Sequence, residues 1–243
     1  MYESVQRLAG QLRLSGIYHG VTKRCEEALK SGIHPAELMR LVLEDEQLAR
    51  QNARAKSLTS RAKFRSQCDL ENWDMVSPRG ISKAKLKELS QGSFHQRKEN
   101  LIIRGQTGVG KTHLAIALGR ILCGQGTSVL FQSVNLLFEQ LAAEKMAGKY
   151  LSALQRLSRA NVIILDDFGL RNYSHDEATA LLEILEERYG KATVVITSQV
   201  EPEGWKSLFQ DSVISDAIID RLVNPSDSVL LTGESYRKKR KVN

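Results

Sequence analysis

No run of about 18 apolar residues occurs in this 243-residue chain, which excludes a membrane-spanning helix. The first residues, MYESVQRLAGQLRLSG, carry charges throughout and contain no apolar signal core, so the chain is expected in the cytoplasm. Cysteine is scarce and scattered: Cys25, Cys68 and Cys123 form no CxxC pair, which fits a reducing compartment and argues against structural zinc. His19, His34, His95, His113 and His175 are equally dispersed and suggest no metal cluster. Internal repeats and low-complexity stretches are missing as well. What remains is an ordinary globular composition, 42% hydrophobic, on a chain long enough for one large domain or a core with a smaller appendage.

Acidic residues are missing from one place in particular. Between Arg50 and Ser66 lie Arg50, Arg54, Lys56, Arg61, Lys63 and Arg65, with no Asp or Glu among them. The net charge of +7 is uneven on a larger scale too. Residues 1–100 hold 18 Lys and Arg against 12 Asp and Glu, residues 101–236 hold 12 against 16, and RKKRKVN adds five cations at the end. A near-neutral core between two basic segments suits a nucleic-acid partner better than a merely solvated helix face and a solubilising tail.

The first part of the chain has helical periodicity. VTKRCEEALKSG stops at a glycine, and the stretch from His34 to Leu58 places Leu38, Leu41, Val42 and Leu48 on one face. NWDMVSPRGIS, residues 72–82, breaks the pattern, so a boundary is expected near residue 70. From residue 100 short apolar strands alternate with amphipathic helices. Strands are expected at Leu101–Arg104, Ser128–Ser133, Val162–Asp166, Thr193–Thr197 and Ser228–Leu231. The alternation predicts an α/β domain, with a parallel sheet covered on both faces.

The first of these strands runs into Gly105, Gln106, Thr107, Gly108, Val109, Gly110, Lys111 and Thr112, a complete GxxxxGK[ST] loop followed by His113 and a helix. Glycines let the backbone wrap with its N–H groups turned toward an anion, and the helix N-terminus adds favourable partial charge. Lys111 is placed for the β- and γ-phosphates, and the Thr112 hydroxyl for Mg2+. With a strand before it and a helix after it, the loop points to a nucleoside triphosphate rather than to an ordinary glycine-rich turn.

The strand IILDDFG presents two acids together. Asp167-Phe168-Gly169 spells a kinase signature, but no HRD loop and no VAIK lysine accompany it. In a P-loop protein the acid ending such a strand holds Mg2+, the role expected of Asp166. Asp167 is then expected to orient the attacking water, with a supporting carboxylate or helix cap as the alternative. The strand TVVITSQV ends in Thr197, Ser198 and Gln199, polar groups at the edge where ligands bind in such folds, one of which can sense the γ-phosphate or position the water, or simply cap that strand. Arg221, on the helix ISDAIIDRLV, can serve a neighbouring subunit's nucleotide or pair with Asp216 or Asp220.

GQTGVGKTHLA, VIILDDFG, ITSQ, DAIIDRLV and LTGESYRKK together resemble the lidless AAA+ ATPases of the helicase-loader and transposition-helper clade. RLSGIYHGV, RQNARAKSLTSRAKFR and SPRGISKAKLKEL extend the resemblance to the IstB-like helpers of bacterial insertion sequences over nearly the whole chain. The resemblance implies a P-loop AAA+ core at 100–243 with a five-stranded sheet in order 5-1-4-3-2 and no C-terminal lid. It implies a small helical DNA- or partner-binding domain at 1–70 and a connector at 71–99. By the same resemblance the chain forms homo-oligomers with ATP at subunit interfaces, binds duplex DNA near the nucleoid and recruits a transposase. Arg221 becomes the arginine finger and Gln199 the first sensor, while the role of Arg237 in the GESYR segment stays open. Aspartate at 167, where most AAA+ proteins have glutamate, implies slow hydrolysis. DNA contacts are expected from Arg54, Lys56, Arg61, Lys63 and Arg65, or from Lys145, Lys149, Arg156 and Arg159, through phosphates. A replicative helicase loader, or an ATP-gated DNA scaffold with negligible turnover, are the alternative functions.

Overall fold

The computed structural model describes residues 2–73 and 79–236, so Pro78, Arg237 and the basic terminal tail lie outside the described residues. The chain divides into two compact units, residues 1–57 and 58–243.

The first unit is helical, as expected. α1 (Tyr2–Gln11), α2 (Ser15–Ser31) and the long α3 (Pro35–Arg61) follow one another, and Gly32 ends α2 in the left-handed region at φ 60°. α2 has no capping side chain of its own at Leu14. Glu46 of α3 replaces it, its Oε2 accepting from the Gly16 and Ile17 amides at 2.8 and 3.3 Å. Arg24 closes a bidentate fork on Asp45, both bonds at 2.8 Å. Gly16 lets the chain pass closely here, since a Cβ would stand 2.4 Å from the Asp45 carbonyl oxygen.

In the second unit, β1 (Asn100–Gly105), β2 (Val129–Ser133), β3 (Val162–Phe168), β4 (Thr193–Ser198) and β5 (Ser226–Leu231) form one all-parallel sheet in order β2-β3-β4-β1-β5. This is the 5-1-4-3-2 order named from its other edge. Alternation along the strands sorts the two faces. Leu101, Ile103, Val162 and Ile164 meet α6 (Lys111–Gly124), while Ile102, Ile163, Leu165 and Ile196 meet α7 (Val134–Met146), α8 (Tyr150–Arg159), α9 (His175–Arg188) and α10 (Ser212–Val223). Among the described residues no helical lid follows β5.

Two boundaries differ from expectation. The units part at Ser57–Leu58 rather than near residue 70, because Leu58 and Ala62 are buried in the sheet's own core. The Ala62 carbonyl also accepts the Phe131 amide at 2.8 Å, adding to the open edge of β2. The 71–99 connector is in turn part of the second unit. It contains α4 (Lys83–Ser90) and α5 (Ser93–Gln96), whose Leu86, Leu89 and Phe94 are buried against α6 and the sheet.

Candidate functional site

Every strand of a parallel sheet presents its C-terminal end on the same rim, and the predicted site residues of β1, β3 and β4 meet there. β1 ends in the loop Gly105–Gly110, anchored by the buried Val109. Gly108 has φ 83°, and a Cβ there would fall 2.0 Å from Ser235 Oγ, so this turn admits only glycine. Lys111, at the start of α6, is buried and donates to the carbonyls of Gly105 and Gln106 at 2.8 and 2.9 Å. The neighbouring Thr112 hydroxyl donates to Asp166 Oδ1 at 2.8 Å, joining the loop to β3.

Asp166 has no solvent exposure, and its Oδ1 also accepts the Thr197 hydroxyl of β4 at 2.6 Å. Burial raises its pKa above the ordinary aspartate value. The bonds from Thr197 and Thr112 pull it back, Asp167 pushes it up, and Arg65 pulls it down. Asp167 is aimed by a backbone device. The β3–β4 register shifts between Leu165 and Phe168, and Asp167 adopts φ 62°. A regular strand would turn two adjacent side chains to opposite faces; the bulge re-aims Asp167, so that one buried and one partly exposed carboxylate stand near each other. The Asp167 amide donates to Thr197 Oγ1 at 2.9 Å, so one threonine braces both acids. Thr107 donates to Gln199 Oε1 at 2.6 Å, which brings the end of β4 onto the loop.

The oxygens gathered here fit a small hard cation. Asp166 Oδ2 is buried without a hydrogen-bond partner, and the Thr112 hydroxyl lies on the same carboxylate. Among the described residues no group of three or more His, Cys, Asp or Glu could cage a metal by itself. Magnesium needs no such cage, because it takes one or two protein oxygens and completes its shell with phosphate and water.

Other predicted residues lie elsewhere. His113 turns from the loop, its Nε2 3.2 Å from the Asp69 carbonyl oxygen and its ring 5.8 Å from that of Trp73. Arg221 pairs with Glu186 at 3.0 Å, not with Asp216 or Asp220, and its carbonyl accepts from Asn100 at the opposite end of β1. With about 3.3 Å per strand residue, that end lies ~17 Å from the loop, beyond the reach of an arginine in the same chain. Arg54, Lys56, Arg61 and Lys63 are exposed. Lys145 and Arg156 are exposed but face Asp176 at 3.7 Å and Glu144 at 3.5 Å, and Lys149 is exposed where α8 begins.

Arg65 departs most from its expected place among these cations. Its Nη2 is 3.1 Å from Asp166 Oδ2 and its Nη1 3.8 Å from Asp167 Oδ2, a charge contact outside hydrogen-bond geometry. Sequence reasoning placed Thr197 only as one of three polar groups at the strand end and missed it as the brace of both acids. It missed Trp73 as well, whose ring a Gly110 Cβ would approach to 3.2 Å. The threonine's place before Gln199 was the available signal for the first; no local pattern marks the others.

A parallel sheet in this order, with a GKT loop after β1 and a buried aspartate near the end of β3, defines an AAA+ P-loop ATP-binding core. The sequence pattern of the IstB-like ATP binding protein family matches residues 7–243, and the chain belongs to that family. It is similar to the IS21 insertion-sequence ATP-binding protein of Pseudomonas aeruginosa, 34% identical over 96% of this chain and 88% of that one. An insertion-sequence ATP-binding protein of Sinorhizobium fredii is 36% identical over 90% of this chain and 91% of its own length. Two solved structures share the fold. DnaI has a TM-score of 0.60 at 20% identity, covering 73% of this chain and 94% of its own. DnaA bound to AMPPCP and single-stranded DNA has a TM-score of 0.59 at 18% identity, covering 74% and 56%. The chain is thus an ATP-binding protein associated with transposition. Among the described residues no helix is long and apolar enough to cross a membrane.

Proposed function

We propose that this protein is an ATP-hydrolysing helper of transposition that assembles on duplex DNA and recruits a transposase. The observation carrying the proposal is the meeting of Thr112, Asp166, Thr197 and Asp167 at the lip of the phosphate loop. Lys111 and the amides of residues 105–112 bind the phosphates, while Thr112 and Asp166 are the oxygens that would hold Mg2+. When bound, that ion supplies charge neutralisation at the β- and γ-phosphates. Asp167, displaced by the bulge, orients water toward the γ-phosphate, and Gln199 fixes the loop through Thr107. Arg221 serves the nucleotide of a neighbouring copy, which puts ATP at subunit interfaces and makes turnover depend on assembly. The helical unit 1–57 and the cations that follow it engage DNA phosphates or the partner.

Nucleotide binding and turnover test this reading. Lys111→Ala abolishes ATP binding. Asp167→Asn keeps binding but lowers turnover by roughly 10²-fold or more, the usual weight of a general base. Unchanged turnover in the second variant removes Asp167 from the chemistry, whereas negligible turnover by the wild type leaves an ATP-gated scaffold. A likeness in fold to the DnaC helicase loader, at 22% identity, is what favours a helicase-loader alternative. Electron microscopy with duplex DNA and a slowly hydrolysed ATP analogue separates the two: filaments or rings around bent duplex support the transposition helper, and assembly only with a helicase or single strand supports the loader.

A further inference from the structure

Arg65 ends the acid-free basic stretch and at the same time touches both carboxylates of the phosphate site. Its seat is built. Ala62 is hydrogen-bonded to the edge of β2, and the Phe64 ring packs 6.4 Å from that of Phe131 and within 2.9 Å of where a Gly119 Cβ would stand. The next residue, Arg65, therefore starts from a fixed point, with its guanidinium 5.9 Å from the Phe131 ring centre. On its inner side lies Asp166 Oδ2, buried and otherwise without a partner. On its outer side the side chain is 46% exposed, and Arg61 and Lys63, close to it in sequence, are exposed as well.

A cation of magnesium's size needs a carboxylate oxygen at about 2.0–2.1 Å, where it would meet the positive charge of Arg65, already 3.1 Å from Asp166 Oδ2, at repulsive range. Burial of Asp166 nevertheless makes a counter-charge valuable whenever the ion is away. Arginine leaving that oxygen needs another anion, and a fork of N–H donors is suited to phosphate. We propose that Arg65 is an exchangeable counter-ion: it guards Asp166 and Asp167 until Mg–ATP displaces it, and it then takes a DNA phosphate. DNA and Mg–ATP binding are thereby coupled through one side chain, and the coupling is reciprocal. The inference rests on the assignment of Thr112 and Asp166 to the metal.

The test is binding of a fluorescent ATP analogue to the full chain, titrated with MgCl2, with and without non-specific duplex DNA. Without DNA, Arg65→Ala lowers the half-saturating Mg2+ concentration at least ~5-fold, the lower end of ordinary coupling. DNA shifts wild type toward the variant's value and leaves the variant unmoved. Arg65→Lys, which keeps a charge for Asp166 but loses the fork, falls between the two and replaces Arg65→Ala if that variant misfolds. Arg54→Ala weakens DNA binding with the Mg2+ requirement unchanged. An Arg65→Ala protein needing as much Mg2+ as wild type, or more, overturns the proposal; so does an equal DNA shift in both. Nucleotide binding by wild type that ignores Mg2+ refutes the metal assignment instead, and this proposal with it.

Discussion

Asp167 stands at φ 62°, a region that aspartate and asparagine tolerate better than other side chains with a Cβ. This makes Asp167→Asn a clean probe of charge, because it keeps both size and backbone preference. Its melting temperature should match wild type while turnover falls. Asp167→Val, branched at Cβ, should lose an additional ~1–2 kcal/mol of stability, measurable by denaturant titration. Arg188 is a different kind of buried charge. It donates to the carbonyls of Leu157, Ala160 and Thr193 at 2.8 Å, and burial brings its pKa down to about 10. It ties α8 and β4 to α9 without any carboxylate partner in those bonds. Arg188→Met should destabilise the second unit by ~3–5 kcal/mol, since it leaves several carbonyls buried and unpaired.

Helix ends show how far local rules go. Ser174 caps α9 and forms a complete capping box with Glu177, which Arg171 also grips in a fork at 2.6 and 2.9 Å. Its hydrogen bond to Arg171 comes first among the causes that hold the Glu177 carboxyl below its ordinary value of 4.5. A depressed carboxylate stabilises the fold fully above that ordinary value and loses its contribution as pH falls toward the folded value. Glu177→Gln should therefore be less stable than wild type by about 1 kcal/mol at pH 7, with the difference vanishing in acid. Thermal melts from pH 7 to pH 3 check the sign. α2 depends on a tertiary cap instead. Gly16→Ala would push a Cβ against the Asp45 carbonyl and force α2 from α3, a clash worth ~1–3 kcal/mol. Reduced helicity and a lower melting point of the first unit would register it.

On the scale of the molecule, the acidic excess lies in residues 101–236 and the basic excess in the first 100 residues and the terminal tail. DNA affinity should then fall steeply with salt. Replacing Arg54, Lys56, Arg61 and Lys63 together should flatten the log–log salt slope by about 3–4, at ~0.9 per phosphate contact. Parallel slopes for wild type and variant would move the DNA contact elsewhere, with Lys145, Lys149 and Arg156 next to be tested. Arg221 provides a test of assembly. Arg221→Ala should lower turnover by about 10³-fold, as loss of an arginine finger does. Mixed with the equally inactive Lys111→Ala protein it should regain activity, because each supplies what the other lacks. No recovery on mixing would confine Arg221 to its pair with Glu186.

The strands themselves, the phosphate loop and the acid of β3 were legible in the sequence, whereas the strand order followed only from the family resemblance. The first three rest on local information: glycines whose φ admits no side chain, an alternating apolar period, a GKT at a strand-to-helix turn. Chain neighbours were enough to place Gly105–Thr112 and Asp166, since the fold brings the ends of parallel strands to one rim. Only the tertiary structure decided how the two acids differ, because the bulge at Asp167 depends on pairing with β4. It alone placed Leu58 and Ala62 in the ATP-binding unit, where the edge of β2 needed cover. Arg65 shows the limit most plainly: its neighbours in sequence are cations exposed to solvent, while its nearest charges are acids one hundred residues away along the chain. Charge composition predicts that such a side chain seeks an anion, but which anion lies within reach is a property of the folded surface.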